Sequence, residues 1–180
     1  MKYLLCTFLI IGLIGCSSMN DALTPSVKVE QDQFDGSTII SQAPVSAASS
    51  LSEGWHVMGF DWSSKSPSVV FLTVGRDSIV NIEGVEFNVD GVYLKEIPTT
   101  SPITDYGDWS TRRFRVTLDD FKLISNSNDT KMKVITLNSY TISSFGKENG
   151  GAVVNTKFKP FLFEINQATT PPSVKHQYEL

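Results

Sequence analysis

The sequence predicts an α+β domain: a twisted, mainly antiparallel sheet, doubled toward a sandwich, packed by a C-terminal helix. An all-β sandwich with only a peripheral helix is the alternative. Three observations carry the prediction. Between residues 26 and 145, short alternating or apolar segments recur, separated by Gly, Asp, Asn and Ser breakers. Two of these segments have no polar face. The best helical stripe comes last, where Val154, Phe158, Phe161, Leu162 and Ile165 recur at three- and four-residue steps.

In chain order, residues 26–32 alternate with Val27 and Val29 on one face, and 37–41 form a short apolar strand. Residues 42–54 read as a Ser/Ala loop too small and polar to pack on its own. In 55–62, Trp55 and Val57 lie on one face and Met58, Phe60 and Trp62 on the other; 68–74 is apolar throughout. Strands of this kind are usually covered on both sides and central in their sheet.

In 79–97, Val85, Phe87 and Val89 alternate with Glu86 and Asn88, and Asp90-Gly91 makes a tight hairpin turn to a return strand. Gly84 marks a bulge or an earlier turn. Residues 98–110 form a long loop containing Tyr106 and Trp109. Residues 111–118 direct Phe114, Val116 and Leu118 inward, and Arg113 and Arg115 outward. Asp119-Asp120 can cap a short helix through Phe121 and Ile124. Two strands follow, at 131–138 and 140–145. The last helix is expected over 154–166, disturbed at Pro160, which lacks a backbone N–H.

The first residues carry an address. Lys2 precedes a run of about a dozen apolar residues, shorter than the roughly 20 a membrane-spanning helix needs. The run ends in Leu13-Ile14-Gly15-Cys16, which resembles the lipobox of bacterial lipoproteins: an aliphatic residue, a variable one, a small one and a cysteine. The resemblance covers the signal only; the rest of the chain shows no family resemblance. It implies cleavage before Cys16, a diacylglyceryl group on the Cys16 sulfur and acylation of the new amine. At about 0.8 kcal/mol per buried methylene, several acyl chains anchor where one binds only marginally. Ser17 is similar to the outer-membrane address of such proteins, implying an outer-membrane anchor with the domain facing the periplasm. The chain then divides into a signal peptide (1–15), a lipidated N-terminus and tether (16–26), one globular domain (27–166) and a loose tail (167–180).

Composition excludes several function classes. Cys6 and Cys16 are the only cysteines, so the domain has no disulfide, thiolate metal site or cysteine nucleophile. Net charge is −4, and becomes −5 once Lys2 leaves with the signal, which argues against nucleic acid as a partner. His56 is the only histidine before the tail residue His176, and no G-x-S-x-G run accompanies it. No phosphate-cradling glycine motif or calcium-loop pattern occurs. The sequence therefore assigns no catalytic residue, no metal ligand and no cofactor.

The remaining candidates are contact surfaces. Tyr106 and Trp109 flank Asp108 in the long loop, as aromatic material for gripping a sugar or peptide. Arg113 and Arg115 share one strand face, and Lys131 and Lys133 share another; if the strands pair, four cations form one patch for phosphates or an acidic partner. The expected function is a lipid-anchored, non-enzymatic module that binds an envelope protein, glycan or lipid. Two alternatives stand beside it. One is a glycan hydrolase using carboxylate pairs from Asp105, Asp108, Asp119 and Asp120. The other is a structural subunit of an envelope complex.

Overall fold

A computed structural model describes residues 24–95 and 97–170. The expectations for the signal peptide, Cys16 and residues 171–180 lie outside the described residues. Within them the fold is α+β, mostly antiparallel and sandwich-like.

Among the described residues, ten strands, numbered in chain order, make two sheets. The larger runs β1 (Lys28–Gln31), β2 (Thr38–Ser46), β3 (His56–Ser63), β4 (Val69–Arg76), β8 (Ser110–Thr117), β7 (Asp105–Tyr106). The smaller runs β10 (Tyr140–Phe145), β9 (Thr130–Thr136), β5 (Ile82–Val89), β6 (Val92–Leu94). Helix α1 (Leu118–Asn126) continues directly from β8, and α2 (Asn155–Thr169) ends the described chain.

One core joins the sheets and both helices. Its centre is Phe60 on β3, fully buried, with Phe121 of α1 at 5.2 Å and Phe158 and Phe161 of α2 at 5.3 and 5.0 Å between ring centroids. Phe145 of β10 reaches Phe158 at 5.9 Å and ties in the second sheet. Such pairs contribute about 0.5–1.5 kcal/mol each beyond the apolar area they remove from water. The helices thus close the inner face of the larger sheet because their apolar stripes meet the alternate residues of β3.

Several expectations hold at the level of single residues. Phe114 and Val116 point inward from β8. Gly84 sits at a register shift between β5 and β9, the bulge rather than the earlier turn that its position also allowed. Asp90 and Gly91 both adopt positive φ, at 49° and 87°, as a tight two-residue hairpin demands.

Four expectations need correction. The Ser/Ala loop is half strand: β2 runs on to Ser46 through a bulge between Gln42 and Val45, which accommodates Pro44 without requiring its missing N–H. Ala47 and Ala48 are buried behind it. Second, β3 and β4 are central but not doubly buried, because Asp61, Phe71 and Thr73 on the outer face are only half covered. Third, Thr117 caps α1, its hydroxyl oxygen accepting from the Asp120 N–H at 3.0 Å while the hydroxyl donates to the Asp120 carboxylate at 2.7 Å; Asp119 and Asp120 occupy the first turn. Finally, α2 holds Pro160 in its interior, as expected, but extends to Thr169, past the expected end at 166. The last turn is completed by Thr169 and Thr170 hydroxyls donating back to Ile165 and Asn166 carbonyls.

Candidate binding cleft

The outer face of the larger sheet changes character along its length. Toward its far end it carries Asp61, Phe71, Arg113 and Arg115. At the end where the chain enters the domain, it opens into an apolar cleft of about 480 Å³. That volume falls in the range typical of small-ligand pockets.

The cleft follows from local sequence. Val57, Gly75 and Thr111 stand side by side across β3, β4 and β8. A Cβ on Gly75 would lie 2.9 Å from a Val57 methyl and 2.8 Å from the Thr111 methyl, so only glycine lets those two side chains close into a floor. The β2 bulge brings Pro44 and Val45 up as one wall. A Cβ on Gly59 would meet the Gln42 carbonyl oxygen at 2.8 Å, which shows how closely the bulge folds over β3. Trp55 and Trp109, each placed just before the first residue of a strand, form the rim, with Pro25 and Val153 completing it. Trp55 is 53% exposed, and Trp109 is half-buried.

Two buried side chains hold the entering chain against this wall. Gln42 donates its amide to the Pro25 carbonyl at 3.2 Å, and the Lys157 ammonium of α2 donates to the Thr24 hydroxyl at 2.8 Å. Residues 24–26, expected to be part of a tether, are therefore docked on the domain.

The turn before Trp55 is fixed as well. A 3₁₀ turn (Leu51–Glu53) presents the Glu53 carboxylate to the backbone N–H groups of Ser49 and Ser144, at 3.0 and 3.1 Å. Partial burial pushes the Glu53 carboxyl up, but the N–H groups of Ser144 and Ser49 outweigh it and hold the group below its ordinary range. Next along, buried His56 shares a 2.9 Å hydrogen bond with the Thr141 hydroxyl of β10. Burial, then the Arg76 charge, lower its pKa, so the ring is held neutral.

The sequence candidates distribute differently from expectation. Trp109 lines the cleft, but its partner there is Trp55 rather than Tyr106. Tyr106 pairs with Ser110 on the edge strand β7 and is exposed. Trp55 shares a face with Val57 in the sequence pattern, but it stands one residue before β3 begins, directly after the breaker Ser52-Glu53-Gly54. A tryptophan released at the start of a strand, immediately after a glycine at φ 77°, is the signal that would have found it.

The four-cation patch does not form. Arg113 and Arg115 lie on β8 in the larger sheet, whereas Lys131 and Lys133 lie on β9 in the smaller. Arg113 pairs with Asp61 at 2.8 Å and lies over the Phe71 ring at 4.7 Å. Lys133 pairs with Glu86 at 3.0 Å and Lys131 with Asp129 at 4.0 Å. Arg115 is exposed and faces a separate shallow cavity with Lys95, Asp119 and Asp120.

The carboxylates are also separated. Asp105 and Asp108 sit beside the first residue of β8, and Asp119 and Asp120 follow its last. Eight residues at about 3.3 Å rise put roughly 25 Å between the two pairs, beyond any shared cleft for glycan hydrolysis. Among the described residues no group of three or more His, Cys, Asp or Glu side chains could hold a metal ion, and no helix is long and apolar enough to cross a membrane. Comparison with known proteins finds no family model, no curated protein and no solved structure that matches the chain.

Proposed function

We propose that this chain is a lipid-anchored binding module of the bacterial outer membrane, facing the periplasm, which captures an apolar ligand between Trp55 and Trp109. The cleft carries the reading. It is open and walled by aromatic rings and prolines, its floor is shaped by a glycine, and its polar lining consists of the Thr24, Ser46 and Thr111 hydroxyls, with no ionisable side chain beside them. Rigid aromatic side chains contribute large contact area at low entropic cost, which suits capture rather than catalysis. The lipobox-like Leu13-Ile14-Gly15-Cys16 supports the anchor.

The full-length protein, purified from membranes in mild detergent below its critical micelle concentration, should enhance the fluorescence of the uncharged apolar probe N-phenyl-1-naphthylamine. A Trp55→Ala/Trp109→Ala protein with unchanged far-ultraviolet circular dichroism should lose most of that enhancement. Retained probe binding in that folded variant would overturn the site. Cys16→Ser should release the protein from membranes, and a membrane-bound Cys16→Ser protein would overturn the anchor.

A further inference from the structure

We propose that the domain does not stand off from the membrane: the end that carries the cleft seats on the anchoring bilayer, with phospholipid acyl ends entering between Trp55 and Trp109. This rests on the lipid-anchor reading above and assigns the ligand class of the same cleft.

The strand register gathers the exposed apolar side chains at that end. His56, Arg76 and Ser110 stand in line across β3, β4 and β8, and mark the edge of the larger sheet. Leu51, 76% exposed, comes just before this edge, and Ile79, 90% exposed, just after it. Tyr106 pairs with Ser110 on the same line. The hydrogen bond from His56 to Thr141 brings in the β9–β10 hairpin, whose Leu137 and Tyr140 are also exposed.

Single exposed apolar residues need no explanation, but several beside an apolar cleft at one end of a domain do. Charge accompanies the exposed rings at both ends: Lys133 lies 5.0 Å from the Tyr140 ring here, and at the opposite end Phe34 neighbours the Asp35–Lys65 ion pair and Tyr93 lies 5.4 Å from the Lys95 ammonium. What sets this end apart is the apolar cleft between Trp55 and Trp109.

The chain's own length identifies the bilayer as the occupant. Only eight peptide steps separate Cys16 from Thr24, a reach of at most about 29 Å when fully extended. Thr24 is itself part of the cleft wall. An acylated Cys16 sulfur therefore cannot leave the cleft further than that from the headgroups. Tyr and Trp, apolar in body and polar at one edge, are the side chains that settle at such an interface.

Charge sharpens the choice. Asp77, Asp105 and Asp108 are exposed near this end, while Arg112 is turned inward, donating to the Ile82 carbonyl at 2.5 Å. Of the other cations at this end, Lys133 is paired with Glu86 and Arg76 is half-buried, so the exposed carboxylates leave no net pull toward anionic headgroups and the contact should resist salt.

The three tryptophans make the test direct, because Trp62 is buried in the core and serves as an internal reference. The full acylated protein is reconstituted into zwitterionic phosphatidylcholine vesicles, with plain or brominated acyl chains, and floated on a density gradient. Brominated chains should quench Trp55 and Trp109 emission at low and at high salt. The Trp55→Phe/Trp109→Phe protein, which reports Trp62 alone, should show no loss. Each single Trp→Phe protein should retain quenching of the other ring. Floating protein whose native emission is equal in both vesicles would overturn the proposal, leave the anchor standing and point to a protein partner for the cleft. Protein that fails to float would overturn the anchor, and this proposal with it.

Discussion

The two faces of β3 solve different problems with residues one position apart. Met58, Phe60 and Trp62 face inward and are essentially unexposed, closed over by aromatic rings from both helices. Val57, Gly59 and Asp61 face outward, toward the cleft, the β2 bulge and Arg113. Because side chains alternate along a strand, each face can be changed while the other stays intact. The inner face holds the fold, and the outer face is free to make contacts.

The largest effect expected from this division is on the inner face. Phe60→Ala removes the ring that meets Phe121, Phe158 and Phe161 at once, where neither helix can shift inward without losing its other contacts. The cost should be about 3–5 kcal/mol, read from denaturant unfolding of the domain. A loss below about 1 kcal/mol would mean that the aromatic cluster is loosely packed and that the contrast between the faces fails.

The inner face was legible in the sequence, and the outer one was not, for a physical reason. A core residue announces itself through periodicity: Phe114 and Val116 on β8, and Phe158 and Phe161 in the last helix, follow from spacing alone. The cleft depends on contacts between residues far apart in the chain. Its floor needs Val57, Gly75 and Thr111 in adjacent strands, and its walls need Pro25 beside Pro44. No local pattern specifies that register. The same reasoning explains the cation patch: alternation places Arg113 and Lys131 on exposed strand faces, but nothing local assigns their strands to different sheets. The small, polar residues of 42–46 likewise hide a strand, because the bulge between Gln42 and Val45 that holds Pro44 is set by pairing with β3 rather than by local pattern.

His56 tests the junction between the two sheets, with a smaller effect. Its pKa is lowered in the folded protein, chiefly by burial, from an ordinary value of 6.5. Below that value the unfolded chain takes up a proton that the folded ring resists. Stability should therefore be complete above pH 6.5 and decline as pH falls through 6.5 toward the lowered folded pKa. Thermal melts between about pH 5 and 8 should show this slope, and His56→Gln should flatten it while leaving the acid limb below about pH 4.5 from carboxylates such as Glu53. An unchanged slope in the variant would place the titration elsewhere and leave the His56–Thr141 contact without a role in pH response.

The smallest effect belongs to the outer face. Arg113 spans from β8 to Asp61 on β3 and covers Phe71 on the way. Both charged side chains are about a third or more exposed, so their pairing should be worth only about 0–1 kcal/mol in a double-mutant cycle with Asp61→Asn and Arg113→Ala. The pH dependence is more telling than the size. Partial burial raises the Asp61 pKa above its ordinary 3.8, and the Arg113 charge pulls it back. A raised carboxyl stabilises the fold only while protonated, and that contribution is lost as pH rises through the folded pKa. Removing Arg113 should raise the Asp61 pKa further, so the deficit of Arg113→Ala should be greatest near neutral pH. It should shrink as the pH falls through the raised Asp61 pKa toward 3.8. A deficit that stays constant across this range would assign the role of Arg113 to its cover over Phe71 alone, and the outer face would then be held by packing, as the inner one is.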